Sequence, residues 1–353
     1  MRIVLAGYYG YRNIGDDLML QNLLALLTAR PEVERIDVIC LENYYLPRAR
    51  TRYIPGGWRA NPRRIWALAR ADQVIWGGGT CLSECSSNAG LYWIKYFQML
   101  ARAFGAKFSF VGIGIGRFQT PRFAALAGKV LAQSDHVSFR EEASLAAAAA
   151  LPGYRGDACS GGDLVFLDTF LFETLRRSRS AEAPIRSISF SGLHGLDDRQ
   201  AAHYARQLAA VTEELGAELH FLPAHAGAAG DDEFHRRLAL HLPRPERCRF
   251  HSWQTPEEYL RVMATMDFHI GMRLHSIICA DLLGVPNLAI SYAPKVRYYV
   301  EKSGVSVERR VIEMGEGFDG TRVKELAASY RRPEYFIAQE SHKANKCIKM
   351  MFH

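Results

Sequence analysis

The feature that most constrains this chain is a repeated rhythm: a short, uniformly apolar run, a glycine-rich loop, then a stretch long enough for a helix. Residues 2–7 begin it, followed by a glycine loop and a helix near 16–29 carrying Leu18, Leu20, Leu23, Leu24 and Leu27. Further apolar runs lie at 36–41, at 73–77 (leading into Gly77-Gly78-Gly79-Thr80), at Phe108–Ile113 (ending in Gly112–Gly116) and at 136–139. A helix is predicted near 89–104, and an Ala-rich one after Arg140. A strand that is apolar on both sides must be covered on both sides. Such strands alternating with helices predict an α/β fold built on a doubly wound parallel sheet.

Residues 174–184 are polar and suited to a linker. The rhythm then restarts, with strands expected near 186–191, 218–222, 267–270 and 287–291, and helices near 198–216, 231–242, 256–265 and 273–284. The predicted organisation is an N-terminal domain over 1–178, a C-terminal domain over 185–319, and a basic helical segment over 320–353, the two domains facing a cleft. A length of 353 residues suits two domains. With 48% apolar and 23% charged residues the chain has the composition of a globular protein. No apolar run approaches the ~20 residues of a membrane helix, and the first residues are too short an apolar stretch for a signal peptide.

Seven scattered cysteines form no disulfide framework, so all are expected as thiols of a cytoplasmic protein. Cys81 and Cys85 are close but lack partners at zinc-site spacing, and no metal is expected. The net charge of +7 sits entirely in residues 1–180, with 22 Lys and Arg against 15 Asp and Glu; the rest carries 22 against 22. Arg48, Arg50, Arg52, Arg59, Arg63 and Arg64 form a cluster. It reads as a solvated surface or as a patch that attracts a phosphorylated substrate, a diphosphate lipid or a membrane. No nucleic-acid motif accompanies it, so nucleic acid is not expected as a partner.

Open parallel sheets bind ligands beyond the carboxyl ends of their strands. The loop Gly7–Asp17 follows the first strand. Asp16 and Asp17 sit at the following helix start, where they complement the dipole and would repel a bare phosphate. That loop is therefore a capped turn, or a place where Asn13 and Asp16 bond sugar hydroxyls. Gly78 and Gly79, with Gly112–Gly116, would line the edge with bare backbone. Gly271-Met272-Arg273-Leu274-His275-Ser276 opens a helix with cationic side chains at its positive end, an unfavourable placement typical of function. Arg273 and His275 make an anion clamp with the free amides, or else Arg273 pairs with a carboxylate and His275 packs inside. Arg140 in Ser138-Phe139-Arg140-Glu141, and Ser291 with Lys295 in Ser291-Tyr292-Ala293-Pro294-Lys295-Val296, occupy comparable points. Arg140 could equally form a capping pair with a nearby Glu, and Lys295 could be a surface lysine.

These segments together resemble the polysaccharide pyruvyltransferases, in the family's order over roughly residues 1–300. Gly-Met-Arg-Leu-His and Ser-Tyr-x-Pro-Lys-Val are the more specific elements. Ala293, and Gly161-Gly162-Asp163, depart from the family's usual Asp and Asp-Pro. The resemblance implies two Rossmann-like domains in the GT-B style and phosphoenolpyruvate as donor substrate, with no other cofactor. It implies that Arg140, Arg273, His275 and Lys295 bind or activate the donor. The acceptor it implies is a saccharide, often lipid-linked or nucleotide-linked, of a cell-surface or extracellular polysaccharide.

The residue types fit that chemistry. A donor with a carboxylate and a phosphate calls for two cationic clamps, and ketal formation calls for a proton donor near neutral pH, for which His275 is the candidate. With Arg140 in one domain and the other groups in the second, domain closure is expected to complete the site. A GT-B glycosyltransferase or sugar-nucleotide epimerase, using Arg273 and Lys295 on a nucleotide diphosphate, is the alternative enzyme. A carbohydrate-binding scaffold is the non-enzymatic one. The tail from Tyr335 reads as a closing helix packed on the domains or as a peripheral contact with the inner membrane surface, through Phe336, Ile337, Ile348, Met350, Met351 and Phe352.

Overall fold

A computed structural model describes residues 1–84, 89–180, 182–227, 230–304 and 307–352. The chain forms two compact units: Met1–Tyr11 with Asp16–Asp168 and Gln339–His353, and Arg12–Gly15 with Thr169–Ala338. Residues 174–184, expected as the linker, lie inside the second unit; the chain passes between units at 168/169, where no run of polar residues marks the change.

The first unit holds β1 (Arg2–Ala6), α1 (Ile14–Thr28), β2 (Arg35–Ile39), β3 (Thr51–Ile54), α2 (Asn61–Ala69), β4 (Gln73–Gly77), β5 (Thr80–Leu82), α3 (Ala89–Ala103), β6 (Lys107–Ile115), α4 (Pro121–Ala132), β7 (His136–Phe139), α5 (Glu142–Ala149) and β8 (Cys159–Ser160). Its strands run in the order β3-β2-β1-β4-β6-β7-β8, with β5 on β6, and every pairing is parallel. Val4, Val74, Trp76, Phe108, Phe110 and Phe139 from the strands meet Leu91, Ile94, Phe97 and Val130 from the helices in one core. Burial on both sides is why these strands read as continuous apolar runs.

The second unit holds α6 (Phe170–Leu175), β9 (Ser187–Ser191), α7 (Asp198–Leu215), β10 (Glu218–Phe221), α8 (Asp231–Ala239), β11 (Cys248–Phe250), α9 (Pro256–Ala264), β12 (Phe268–Gly271), α10 (Leu274–Leu283), β13 (Asn287–Ser291), α11 (Pro294–Ser303), α12 (Val307–Arg310), β14 (Val311–Glu313) and α13 (Gly320–Ser329). Its parallel sheet has the order β11-β10-β9-β12-β13-β14. Both sheets therefore reverse direction beside their first strand, at β1/β4 and at β9/β12, the crevice where doubly wound folds hold ligands.

The last helix, α14 (Glu334–Met351), is counted with the second unit through residue 338 and with the first from 339 on. Ile337, Ile348 and Met351 are buried, and the Arg30 guanidinium lies 3.9 Å from the Phe352 ring centre. Most of the apolar side chains considered for a membrane face are thus used internally; Met350 is exposed. Two of the seven cysteines expected as scattered, Cys159 and Cys347, are brought face to face across 188 residues, because α14 returns Cys347 to the edge strand β8. Cys40, Cys81, Cys248 and Cys279 are free, and Cys85 lies outside the described residues.

Candidate active site

In the second unit the carboxyl edge of the sheet gathers His194 after β9, His225 and Asp231 after β10, Arg273 and His275 after β12, and Ser291 and Lys295 after β13. Arg273 is the N-cap of α10 and offers no side-chain cap; its guanidinium points instead to Asp231. Nε lies 3.2 Å from both Asp231 oxygens, and Nη2 lies 2.6 Å from Oδ1 and 2.6 Å from Nδ1 of His194. Arg273 thus pairs with a carboxylate, while His275 is only half-buried and is not packed in the core.

Asp231 is fully buried and also accepts from the backbone N–H groups of His194 (3.1 Å) and His225 (2.9 Å). Burial pushes its pKa up, but the bonds from His194 and Arg273 outweigh burial and hold it at about 2. His235, also buried, accepts at Nε2 from the Gly192 N–H at 2.8 Å, and burial holds its pKa down to about 4. Beneath α10, His269 bridges Ser189 (2.9 Å) and Ser276 (3.0 Å), and the Ser276 hydroxyl donates to the Arg273 carbonyl at 2.8 Å. That chain props the first turn of the helix. Burial keeps His269 neutral, with its pKa down at about 3.

His275, in the first turn of α10, is covered by a segment from far away in sequence. Arg12–Gly15 is held to this unit by an antiparallel bridge between Asn13 and His225, by Ile14 N–H donating to Ala224 O (2.9 Å), and by Ala226 N–H donating to Arg12 O (2.9 Å). Arg12 adds a 2.8 Å bond to Gln254. A β-carbon on Gly15 would overlap Nδ1 and Cγ of the His275 ring, so only glycine lets the backbone lie there. Asn13, read with Asp16 as a candidate for bonding sugar hydroxyls, accepts at Oδ1 from the Gly15 N–H at 3.2 Å and is counted with the second unit, as His275 is, while Asp16 is counted with the first. Leu274 is buried, and Ser291 Oγ lies 3.4 Å from the Ala293 carbonyl. The Ser291–Val296 element is not a loop throughout: Pro294 starts α11, placing Lys295 in a helix first turn, with Nζ 5.4 Å from the Tyr292 ring centre. Lys295 thus repeats the unfavourable cation-at-N-terminus placement seen at Arg273.

In the first unit the corresponding edge is acidic. Arg140, 7% exposed, pairs with Glu141 at 2.5 Å and lies 3.9 Å from Asp163. Burial disfavours its charge, but Glu141, Asp163 and Asp16 outweigh burial and raise its pKa. Asp163 also accepts from Val165 N–H (3.0 Å), and Glu141 accepts from Ser144 Oγ. Gly78 and Gly79 adopt φ of 70° and 73°, and a β-carbon on Gly79 would lie 3.1 Å from Asp16 Oδ1. Asp17 is engaged by the hydroxyls of Tyr44 (2.7 Å) and Tyr45 (2.5 Å). Among the described residues no three His, Cys, Asp or Glu side chains converge to hold a metal ion.

The solved structures that resemble the chain define its class. UDP-GlcNAc 2-epimerase from Methanocaldococcus jannaschii superposes with a TM-score of 0.63 at 10% identity, covering 100% of both chains. The same enzyme from Neisseria meningitidis, bound to UDP-GlcNAc, gives 0.64 at 8% identity, again over 100% of both. The fold is therefore GT-B-like, with two Rossmann-like domains. No curated protein matches significantly by sequence. The family model for polysaccharide pyruvyl transferase matches residues 13–294, and the chain belongs to that family of transferases.

Proposed function

We propose that this chain moves a pyruvyl group from phosphoenolpyruvate onto two hydroxyls of a saccharide destined for a cell-surface or extracellular polysaccharide, or of its lipid-linked precursor. The observation that supports this best is the convergence, inside the family-matched region, of His275 and Arg273 on one helix N-terminus at the crevice of the second unit's sheet.

His275 is the general acid that protonates the enol methylene carbon. The central carbon then becomes electrophilic, the first sugar hydroxyl adds to it, and the second displaces phosphate. Two C–O bonds form and one breaks. Of the two hydroxyl protons released, one balances that placed on carbon and the other leaves with phosphate. Arg273, fixed by Asp231 and His194, and Lys295 face the donor's anionic groups, together with the amides of Leu274 and the first turn of α10. Ser291 and Asn13 position these elements. In the first unit, Asp16 and the bare backbone of Gly78 and Gly79 suit sugar hydroxyls, while Arg140 holds the surrounding carboxylates in place.

Calorimetric titration with phosphoenolpyruvate tests the reading. Wild type should bind saturably; Lys295→Ala should weaken binding roughly tenfold or more. His275→Ala should keep binding and lose about 10²–10⁴ in turnover. Wild-type protein that ignores phosphoenolpyruvate and binds UDP-GlcNAc instead would replace this reading with a nucleotide-sugar enzyme.

A further inference from the structure

We infer that the outer face of α2 and α3 in the first unit is a docking surface for an anionic lipid membrane. α3 is apolar nearly all round. Leu91, Ile94, Phe97 and Ala101 are buried in the core, yet Tyr92, Trp93, Tyr96 and Met99 on the other side are exposed, Met99 at 57%. A helix apolar on all sides normally has all sides covered. Tyr92, Tyr96 and Met99 follow one another at helical spacing, so they form a stripe, and Phe104 beyond the helix end is exposed as well. On α2, Ile65 and Trp66 continue the surface. The Arg64 guanidinium links the helices, 5.6 Å from the Trp93 ring centre, and Trp93 stacks on Tyr96 at 5.4 Å.

Charge selects the occupant. α2, α3 and the adjoining α4 contain no Asp or Glu, but carry Arg63, Arg64, Lys95, Arg102, Arg122 and Lys129, with Arg59 and Arg70 at the borders of α2. Around Trp66 lie the guanidiniums of Arg52 and Arg70, each 4.9 Å from its ring centre, and of Arg35 at 5.5 Å; Asp37 offsets Arg35 and Arg52. Aromatic side chains with polar edges, flanked by cations that outnumber Asp37 and Glu34 beside Trp66, match the headgroup layer of an anionic bilayer, where rings settle at the interface and arginines meet phosphates. The face lies on helices rather than at the carboxyl edge of the first unit's sheet. It is independent of the reaction proposed above.

Cosedimentation with vesicles of 30% phosphatidylglycerol in phosphatidylcholine, against pure phosphatidylcholine, tests the inference on the full chain. Wild type should pellet with the anionic vesicles only, and less as salt rises. Replacing Arg63 or Arg70 by Gln should lower partitioning roughly fivefold each. Trp66→Ser/Tyr96→Ser/Met99→Ser, confirmed folded by its melting curve, should abolish pelleting. Wild type remaining in the supernatant, or the triple variant pelleting like wild type, would overturn the inference. So would concentration-dependent dimerisation lost in that variant without vesicle binding, which would assign the face to a second copy.

Discussion

The two sheets share a strand order and a crevice, yet their carboxyl edges carry opposite chemistry. In the first unit one buried arginine, Arg140, is surrounded by Glu141, Asp163 and Asp16. In the second, one buried carboxylate, Asp231, is surrounded by Arg273, His194 and two backbone amides, with His275 and Lys295 nearby on the same edge. Each edge uses its minority charge as an anchor that orients the majority. Topology thus fixes where the two carboxyl edges lie, and the sign of the anchor decides what each presents: carboxylates in one unit, cations and imidazoles in the other.

Removing the second unit's anchor, and one carboxylate around the first unit's anchor, tests this most severely. Asp231→Asn leaves Arg273 without its charge partner in a largely buried site and should cost about 3 kcal/mol or more in denaturant unfolding. Asp163→Asn leaves Arg140 with Glu141 and should cost only about 1–2 kcal/mol. Equal losses would show that Arg140 depends on Asp163 alone as strongly as Arg273 depends on Asp231. Gly15→Ala should come next: its β-carbon must displace the His275 ring or the Arg12–Gly15 segment. Turnover should drop about 100-fold from misplacement, with the first unit's stability unchanged. Wild-type turnover would mean that the ring can move without consequence.

Acid should separate the units more gently. His220, His235, His251 and His269, all in the second unit, have pKa values lowered by burial, His235 to about 4 and His269 to about 3. The unfolded chain takes up protons near pH 6.5 that these buried rings refuse, so stability falls as pH drops from about 6.5 toward 4, by up to about 1.4 kcal/mol per pH unit for each ring. The Asp231 contribution runs in the same direction in a lower window, fully present above the ordinary carboxylate pKa and lost as pH falls toward 2. His136 is the comparable group of the first unit. Emission of Trp253, the second unit's single tryptophan, should therefore lose its midpoint earlier on acidification than that of the Trp76 unit. Coincident shifts would contradict the contrast.

Much of the fold is legible in the sequence because double-sided burial writes itself as apolar runs: β1, β4, β6, β9, β12 and β13 fall where those runs are. The elements missed are the ones that lack that signature. β3 (Thr-Arg-Tyr-Ile) is an edge strand with polar side chains, β11 and β14 are three residues long, and α11 hides behind Pro294, which reads as a turn but starts the helix. At the site, Arg273 and Lys295 stand out because cations oppose the helix dipole where they sit, and His275 because it shares the first turn that Arg273 opens. Asp231 and Asp163 do not, since a carboxylate at a helix start looks like an ordinary cap. His194 and His225 carry no local signal at all; only a neighbour distant in sequence gives them a place. The Cys159–Cys347 pair is hidden for the same reason.

The residence of Arg12–Gly15 in the second unit, between stretches that belong to the first, has a consequence for how such a chain can be recombined. A fragment cut at 169–338 would retain Arg273 and His275 but lose the piece of backbone that lies over the imidazole. A hybrid grafting this second unit onto a foreign first unit would need to carry those four residues as well. The natural unit of exchange is therefore not a contiguous stretch of gene.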